Sequence, residues 1–141
     1  MVPMGFLQNN NRTAGSAGNT ARPTTKQRGD AAEDAALAHL QRAGLVPVAR
    51  NYRTPGRGGG EIDLIMRDPR DATLVFVEVR QRADDSHGGA GGSITHAKQR
   101  RIVFAARHYL TRLRELPPCR FDVVLVEAGD IEWLQGAFDA G

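Results

Sequence analysis

The sequence predicts an α/β fold, a mixed β-sheet flanked by helices. Three observations carry this. Thr73–Arg80 (TLVFVEVR) is a near-continuous apolar run, the pattern of a strand covered on both faces. A long helical pattern and then a second apolar strand follow it, which reads as a right-handed crossover between parallel neighbours. The links between the other strands are too short for a crossover and predict antiparallel pairs.

The elements follow in order. Residues 1–27 are rich in Gly, Asn, Thr, Ala and Arg and are read as a disordered basic arm, with a single domain over 28–141. Asp30 and Glu33 have capping-box spacing. Ala32, Ala36, Leu37 and Leu40 recur at helical intervals before Gly44, which gives a first helix over about 31–43. Leu45–Tyr52 reads as a strand that Pro47 pushes to a sheet edge. Thr54–Gly60 (TPGRGGG) is a loop, and Glu61–Arg67 (EIDLIMR) a strand. After a turn at Pro69 comes the central strand, then a polar loop over Gln81–Gly92. In the long helix, over 95–115, Ile102, Ala106, Tyr109 and Leu113 share one face, and Pro117-Pro118 ends it. Arg120–Glu127 (RFDVVLVE) and a shorter Ile131–Leu134 are the last strands.

The 141 residues suit one soluble domain, with 40% hydrophobic and 25% charged residues. No apolar run reaches the roughly 18 residues of a membrane span, and no secretory pattern stands at the start. The single Cys119 excludes an internal disulfide and a zinc-thiolate cluster, and a cytoplasmic setting is expected. Cys119 itself is expected to be a packed small residue. The net charge of +3 is uneven. Residues 1–28 carry four bases and no acid; residues 95–120 carry Lys98, Arg100, Arg101, Arg107, Arg112, Arg114 and Arg120 against Glu115 alone. Residues 121–141 carry five acids and no base. A basic segment of this kind can hold phosphates or be merely a solvated helix face.

Strand alternation sets Glu61, Asp63 and Ile65 on one face of their strand, and Leu74, Phe76, Glu78 and Arg80 on one face of the next. An acid inside a strand as apolar as TLVFVEVR is costly unless it is paired or binds a metal. Asp63 raises the same question one strand away, and two facing carboxylates repel. A hard cation such as Mg²⁺ relieves that repulsion through oxygen ligands. Blander readings stand beside this one: a Glu78–Arg80 structural ion pair, Asp63 as a surface acid, Glu33 as a helix cap. The glycine stretches lack the P-loop lysine, and the four histidines share no ligand spacing. Tyr52 could stack on a base or belong to the core rim.

Asp63 followed by Glu78-Val79-Arg80 fits the D-(x)n-ExK pattern of the PD-(D/E)xK nucleases, with Arg in the Lys place. The segments RNYRTPGRGGGEIDLIMRD, LVFVEVRQR, SITHAKQRRI and CRFDVVLVE resemble, in order, the YraN family of small bacterial proteins, over roughly residues 28–138. The resemblance implies a restriction-endonuclease-like fold similar to Holliday-junction resolvases. It implies a Mg²⁺- or Mn²⁺-dependent nuclease. Asp63 and Glu78 would be metal ligands, the Val79 backbone carbonyl a third, and Glu33 would complete the shell. Arg80 would stand in the lysine's place, although arginine cannot give up its proton as lysine can. Lys98 and Gln99 sit where the following helix supplies polar residues. With Arg101, Arg57 and Arg82 they are the candidate nucleic-acid contacts.

The leading expectation is therefore a metal-dependent endonuclease on DNA, with branched or single-stranded DNA among its candidate substrates. DNA is preferred to RNA as partner, and a homodimer would suit a symmetric junction. Two alternatives stand beside it. One is a non-catalytic nucleic-acid-binding module on a nuclease fold; the other is a protein-interaction domain docking through its acidic C-terminal segment.

Overall fold

A computed structural model describes residues 22–81 and 94–140. The chain runs α1 (Thr25–Arg42), β1 (Val46–Arg53), β2 (Glu61–Asp68), β3 (Thr73–Gln81), α2 (His96–Leu110), β4 (Cys119–Glu127), β5 (Asp130–Phe138). The five strands form one sheet in the order β1-β2-β3-β4-β5. β1, β2 and β3 make an antiparallel meander, β3 and β4 are parallel across the α2 crossover, and β5 returns antiparallel to β4. The mixed sheet expected from the short links and the single crossover is present, and β3 is its middle strand.

β3 is central because both of its faces have something to cover. Val75 and Val77 pack with Leu64, Met66 and Val124 beneath Ala36 and Leu40 of α1. Leu74 and Phe76 pack with Ile65, Phe121 and α2 residues Ile102, Ala105, Ala106 and Tyr109. One helix thus covers each face, as a sheet buried on both sides requires.

Several element boundaries differ from the sequence reading. α1 begins at Thr25, six residues early, because Thr24 rather than Asp30 is its cap. The Thr24 hydroxyl accepts from the Gln27 N–H at 3.0 Å, and the Gln27 side chain accepts from the Thr24 N–H at 2.8 Å. Asp30 and Glu33 lie inside the helix, so the capping role weighed for Glu33 falls away. α2 stops at Leu110, well before the prolines, where the Thr111 hydroxyl donates to the His108 carbonyl at 2.7 Å. β5 extends to Phe138, since Phe138 stacks on Phe121. Cys119 is exposed at the start of β4, not packed. β1 is an edge strand, as Pro47 requires.

The TPGRGGG loop is pinned against α2. The Thr54 hydroxyl accepts from the Gly60 N–H at 2.9 Å. A Cβ on Gly60 would stand 1.9 Å from the Arg101 carbonyl oxygen. Only glycine lets the loop approach the helix backbone this closely.

Candidate active site

The β2–β3 ladder pairs Asp68 with Thr73 through to Leu64 with Val77, and stops there. Asp63 and Glu78 are the next residue on each strand. Beyond the last paired residues a side chain takes over the ladder's work: Asp63 Oδ2 accepts the Val79 N–H at 2.8 Å. The Asp63 and Glu78 carboxyl groups are close enough that each shifts the other's protonation. Glu78 is 8% exposed. It follows Leu74 and Phe76 on the face that α2 covers, and Lys98 Nζ of α2 lies 3.6 Å from its Oε2. The Thr95 hydroxyl caps α2 by accepting the Lys98 N–H at 3.1 Å, which fixes where the lysine leaves the helix.

Two buried carboxyls sharing one space cannot both ionise cheaply. Burial, then the Asp63 charge, push Glu78 up to about 8, against the opposing pull of Lys98 and Arg80. Burial raises Asp63 as well, offset by the Val79 N–H, Glu78 and Lys98. Glu33 of α1 is raised by burial and by Asp63, and lowered by Arg50 and Asn51. Arg50 Nε lies 3.3 Å from Glu33 Oε1. Asn51 takes a positive φ of 55°, which asparagine tolerates better than most residues.

The structure brings Asp63, Glu78 and Lys98 together, with Glu33 on the flank. Glu78, Val79, Arg80, Thr95 and Lys98 line a cleft of about 390 Å³. Arg80 is exposed at its rim. Val79 enters the site through its N–H. Among the described residues no three His, Cys, Asp or Glu side chains form a ligand cluster. The convergent set is two carboxylates, the donor type and number with which Mg²⁺ is commonly held while it keeps waters and substrate phosphates. Asp63 and Glu78 could hold such a cation.

The other candidate residues are spread along α2 and the glycine loop. Arg57 is exposed in that loop, and Arg101 lines a cleft of about 490 Å³ with Arg53 and Gly58–Gly60. Gln99 donates to the Ile94 carbonyl at 2.8 Å, so its amide supports the entry to α2. Arg82 and the GGAGG stretch lie outside the described residues. Tyr52 is a rim residue, packed edge-on to Tyr109 with Arg112 over its ring.

Sequence reasoning missed Asp122. It is fully buried in β4 and bound by Arg120 Nε at 2.9 Å, Trp133 Nε1 at 2.8 Å and the Gly136 N–H at 2.9 Å. The signal was present: an acid in an apolar strand with arginine two residues away, the pattern noticed at Glu78 and Arg80.

The family described as "Uncharacterised protein family UPF0102" matches residues 32–126, a span holding Glu33, Asp63, Glu78, Arg80 and Lys98. A UPF0102 protein of Paracidovorax citrulli is 67% identical over 138 residues, covering 98% of this chain and all of the relative. One of Albidiferax ferrireducens is 74% identical over 117 residues, covering 83% of this chain and 91% of the relative. One of Polaromonas sp. is 64% identical over 135 residues, about nine-tenths of each chain. The motifs that resemble the YraN family and these matches agree: the chain belongs to the UPF0102 (YraN) family.

Proposed function

We propose that this protein is a metal-dependent nuclease that hydrolyses phosphodiester bonds of DNA. The observation that carries the reading is the neighbouring Asp63 and Glu78 carboxyls at the end of the β2–β3 ladder, Glu78 buried, with Lys98 beside them. A fold gains no stability from two raised carboxyls in one pocket, and such pairs cluster at sites of chemistry. Asp63 and Glu78 would hold Mg²⁺ or Mn²⁺. When bound, such a cation supplies Lewis acidity toward a phosphoryl oxygen and acidifies a water.

The chain's own residues do the rest. Hydrolysis adds a water oxygen to phosphorus, breaks the bond to one sugar oxygen and delivers a proton to that oxygen. Negative charge grows on the phosphoryl oxygens meanwhile. Lys98, ion-paired to Glu78, and Arg80, at the rim of the same cleft, place two cations where they can meet that charge. Arg80 cannot accept a proton from water, so its part at the ExK position is that of a fixed positive charge. Glu33, held by Arg50, keeps a third acid near Asp63.

The test is cleavage of labelled single-stranded, duplex and four-way-junction DNA, with RNA of the same sequence, in Mg²⁺, Mn²⁺ or EDTA. Cleavage is expected only with metal and should fall at least ~100-fold in Asp63→Ala, Glu78→Gln and Lys98→Met. Wild-type rates from Glu78→Gln, or cleavage in EDTA, would sink the mechanism. Binding that survives EDTA with no cleavage of any substrate would favour a non-catalytic nucleic-acid module. Cleavage of RNA alone would move the substrate class.

A further inference from the structure

The outer side of α2 carries a stripe that neither the core nor the carboxylate pair uses. Arg100, Phe104 and Arg107 are spaced four and three residues apart, so they share one side of the helix, with Arg101 beside them. Ile102, Ala105, Ala106 and Tyr109 occupy the opposite, core-facing side. Phe104 is 53% exposed, and it is the only exposed Phe, Tyr or Trp among the described residues. It lies in a cleft of about 810 Å³ between α2, Gly58 and Gly59 of the glycine loop, and Asp139 near the C-terminal end. Among the described residues none of the three arginines is ion-paired. Asp139 is the cleft's one acid, so its balance stays positive.

An accessible ring among guanidinium groups suits a ligand with a flat π face and a chain of negative charges. An apolar protein surface would strand the arginines away from water at a cost. Duplex DNA hides its base faces in the stack, whereas a single strand offers them. We propose that Phe104 is a stacking platform for an unpaired base, with Arg100, Arg101 and Arg107 on the flanking phosphates. The proposal rests on the nucleic-acid reading above and narrows it: the substrate carries a single-stranded stretch. Lys98 sits six residues earlier on the same helix, ~9 Å along its axis. A base on Phe104 is thus a few nucleotides from the carboxylate pair, at ~3.4 Å per stacked nucleotide.

The test is fluorescence anisotropy of the full chain with a labelled single strand and with a blunt duplex of the same sequence, in EDTA at low salt. Phe104→Ala should weaken single-strand binding about 5- to 150-fold, the range of one base–aromatic contact. Duplex binding should change less than about twofold, since Phe104 reads no stacked base. Phe104→Trp should retain single-strand binding, and Phe104→Leu, apolar without a π face, should lose it as alanine does. Phe104 is outside the core, so all three should melt as wild type does. Unchanged single-strand binding by Phe104→Ala, equal loss on both DNAs, or full function of Phe104→Leu would overturn the proposal. So would sedimentation showing that Phe104→Ala dissociates a dimer, which would make the stripe a surface between copies. Metal-dependent duplex cleavage without Phe104-dependent single-strand binding would leave the nuclease reading standing and remove this one. Phe104-dependent binding with no cleavage in any metal would do the reverse.

Discussion

Glu78 ties the stability of the protein to pH. Its carboxyl moves from the ordinary 4.5 up to about 8 on folding. Below pH 4.5 folded and unfolded chains both hold the proton, and the contribution to stability is complete. Between 4.5 and about 8 the folded chain still binds it and the unfolded chain does not, so stability falls as pH rises through that window. At ~1.4 kcal/mol per unit, and with the proton shared with Asp63, the loss is on the order of 2–4 kcal/mol. Glu78→Gln keeps the shape and removes the charge. In thermal melts in EDTA the variant should exceed wild type at pH 8.5, with the gap closing by pH 5. Equal melting temperatures at pH 8.5 would mean the carboxylate is not strained. Mg²⁺ should recover wild-type stability at pH 8.5 and leave Glu78→Gln unmoved. Which residues carry this strain is legible only in part from sequence. Glu78 is visible as a lone acid in an apolar strand, but Asp63 joins it only because the β2–β3 pairing ends at Leu64 and Val77.

At the scale of elements, the β4–β5 hairpin is tied by Asp122. The pairing shifts register between Phe121 and Val123, and the Gly136 N–H turns to the Asp122 carboxylate at a φ of 62°. Three donors satisfy a carboxylate with no exposure at all. Asp122→Ala leaves the Arg120 guanidinium, the Trp133 indole N–H and the Gly136 N–H without it. The expected cost is about 2–4 kcal/mol, discounted because Arg120 reaches solvent. Urea unfolding followed by Trp133 fluorescence measures it, and a loss under 1 kcal/mol would show that water replaces the carboxylate. The elements themselves follow the apolar periodicity closely. Their ends do not, because ends are set by single hydrogen bonds. Thr24 with Gln27 outcompetes Asp30 at the start of α1, and Thr111 closes α2 before Pro117 can.

Across the whole molecule, positive charge lies on α2 and in the N-terminal sequence, and acid lies in β4 and β5. Binding that neutralises phosphates releases counterions, so affinity should fall as salt rises. Three arginines on three phosphates of a single strand give a slope of log K against log salt near −2. Arg107→Gln should flatten that slope by about 0.7, measured by anisotropy between 50 and 200 mM salt. A slope unchanged by the substitution would take Arg107 off the phosphate path. Among the described residues no helix is long and apolar enough to cross a membrane.

Periodicity along the chain is enough for the strand–helix–strand crossover, the central place of β3, the edge place of β1 and the oddity of Glu78 as an acid in an apolar strand. Each of these depends on local periodicity or on the cost of burying an acid, and both are written along the chain. Packing across the sheet sets Asp63 and Lys98 at Glu78, holds Glu33 with Arg50, makes Asp122 a structural anchor and turns Phe104 outward amid arginines. Those outcomes depend on which residues distant in sequence meet across the sheet. Helical spacing places Lys98 and Phe104 on a helix, but only packing chooses which side of that helix the sheet covers.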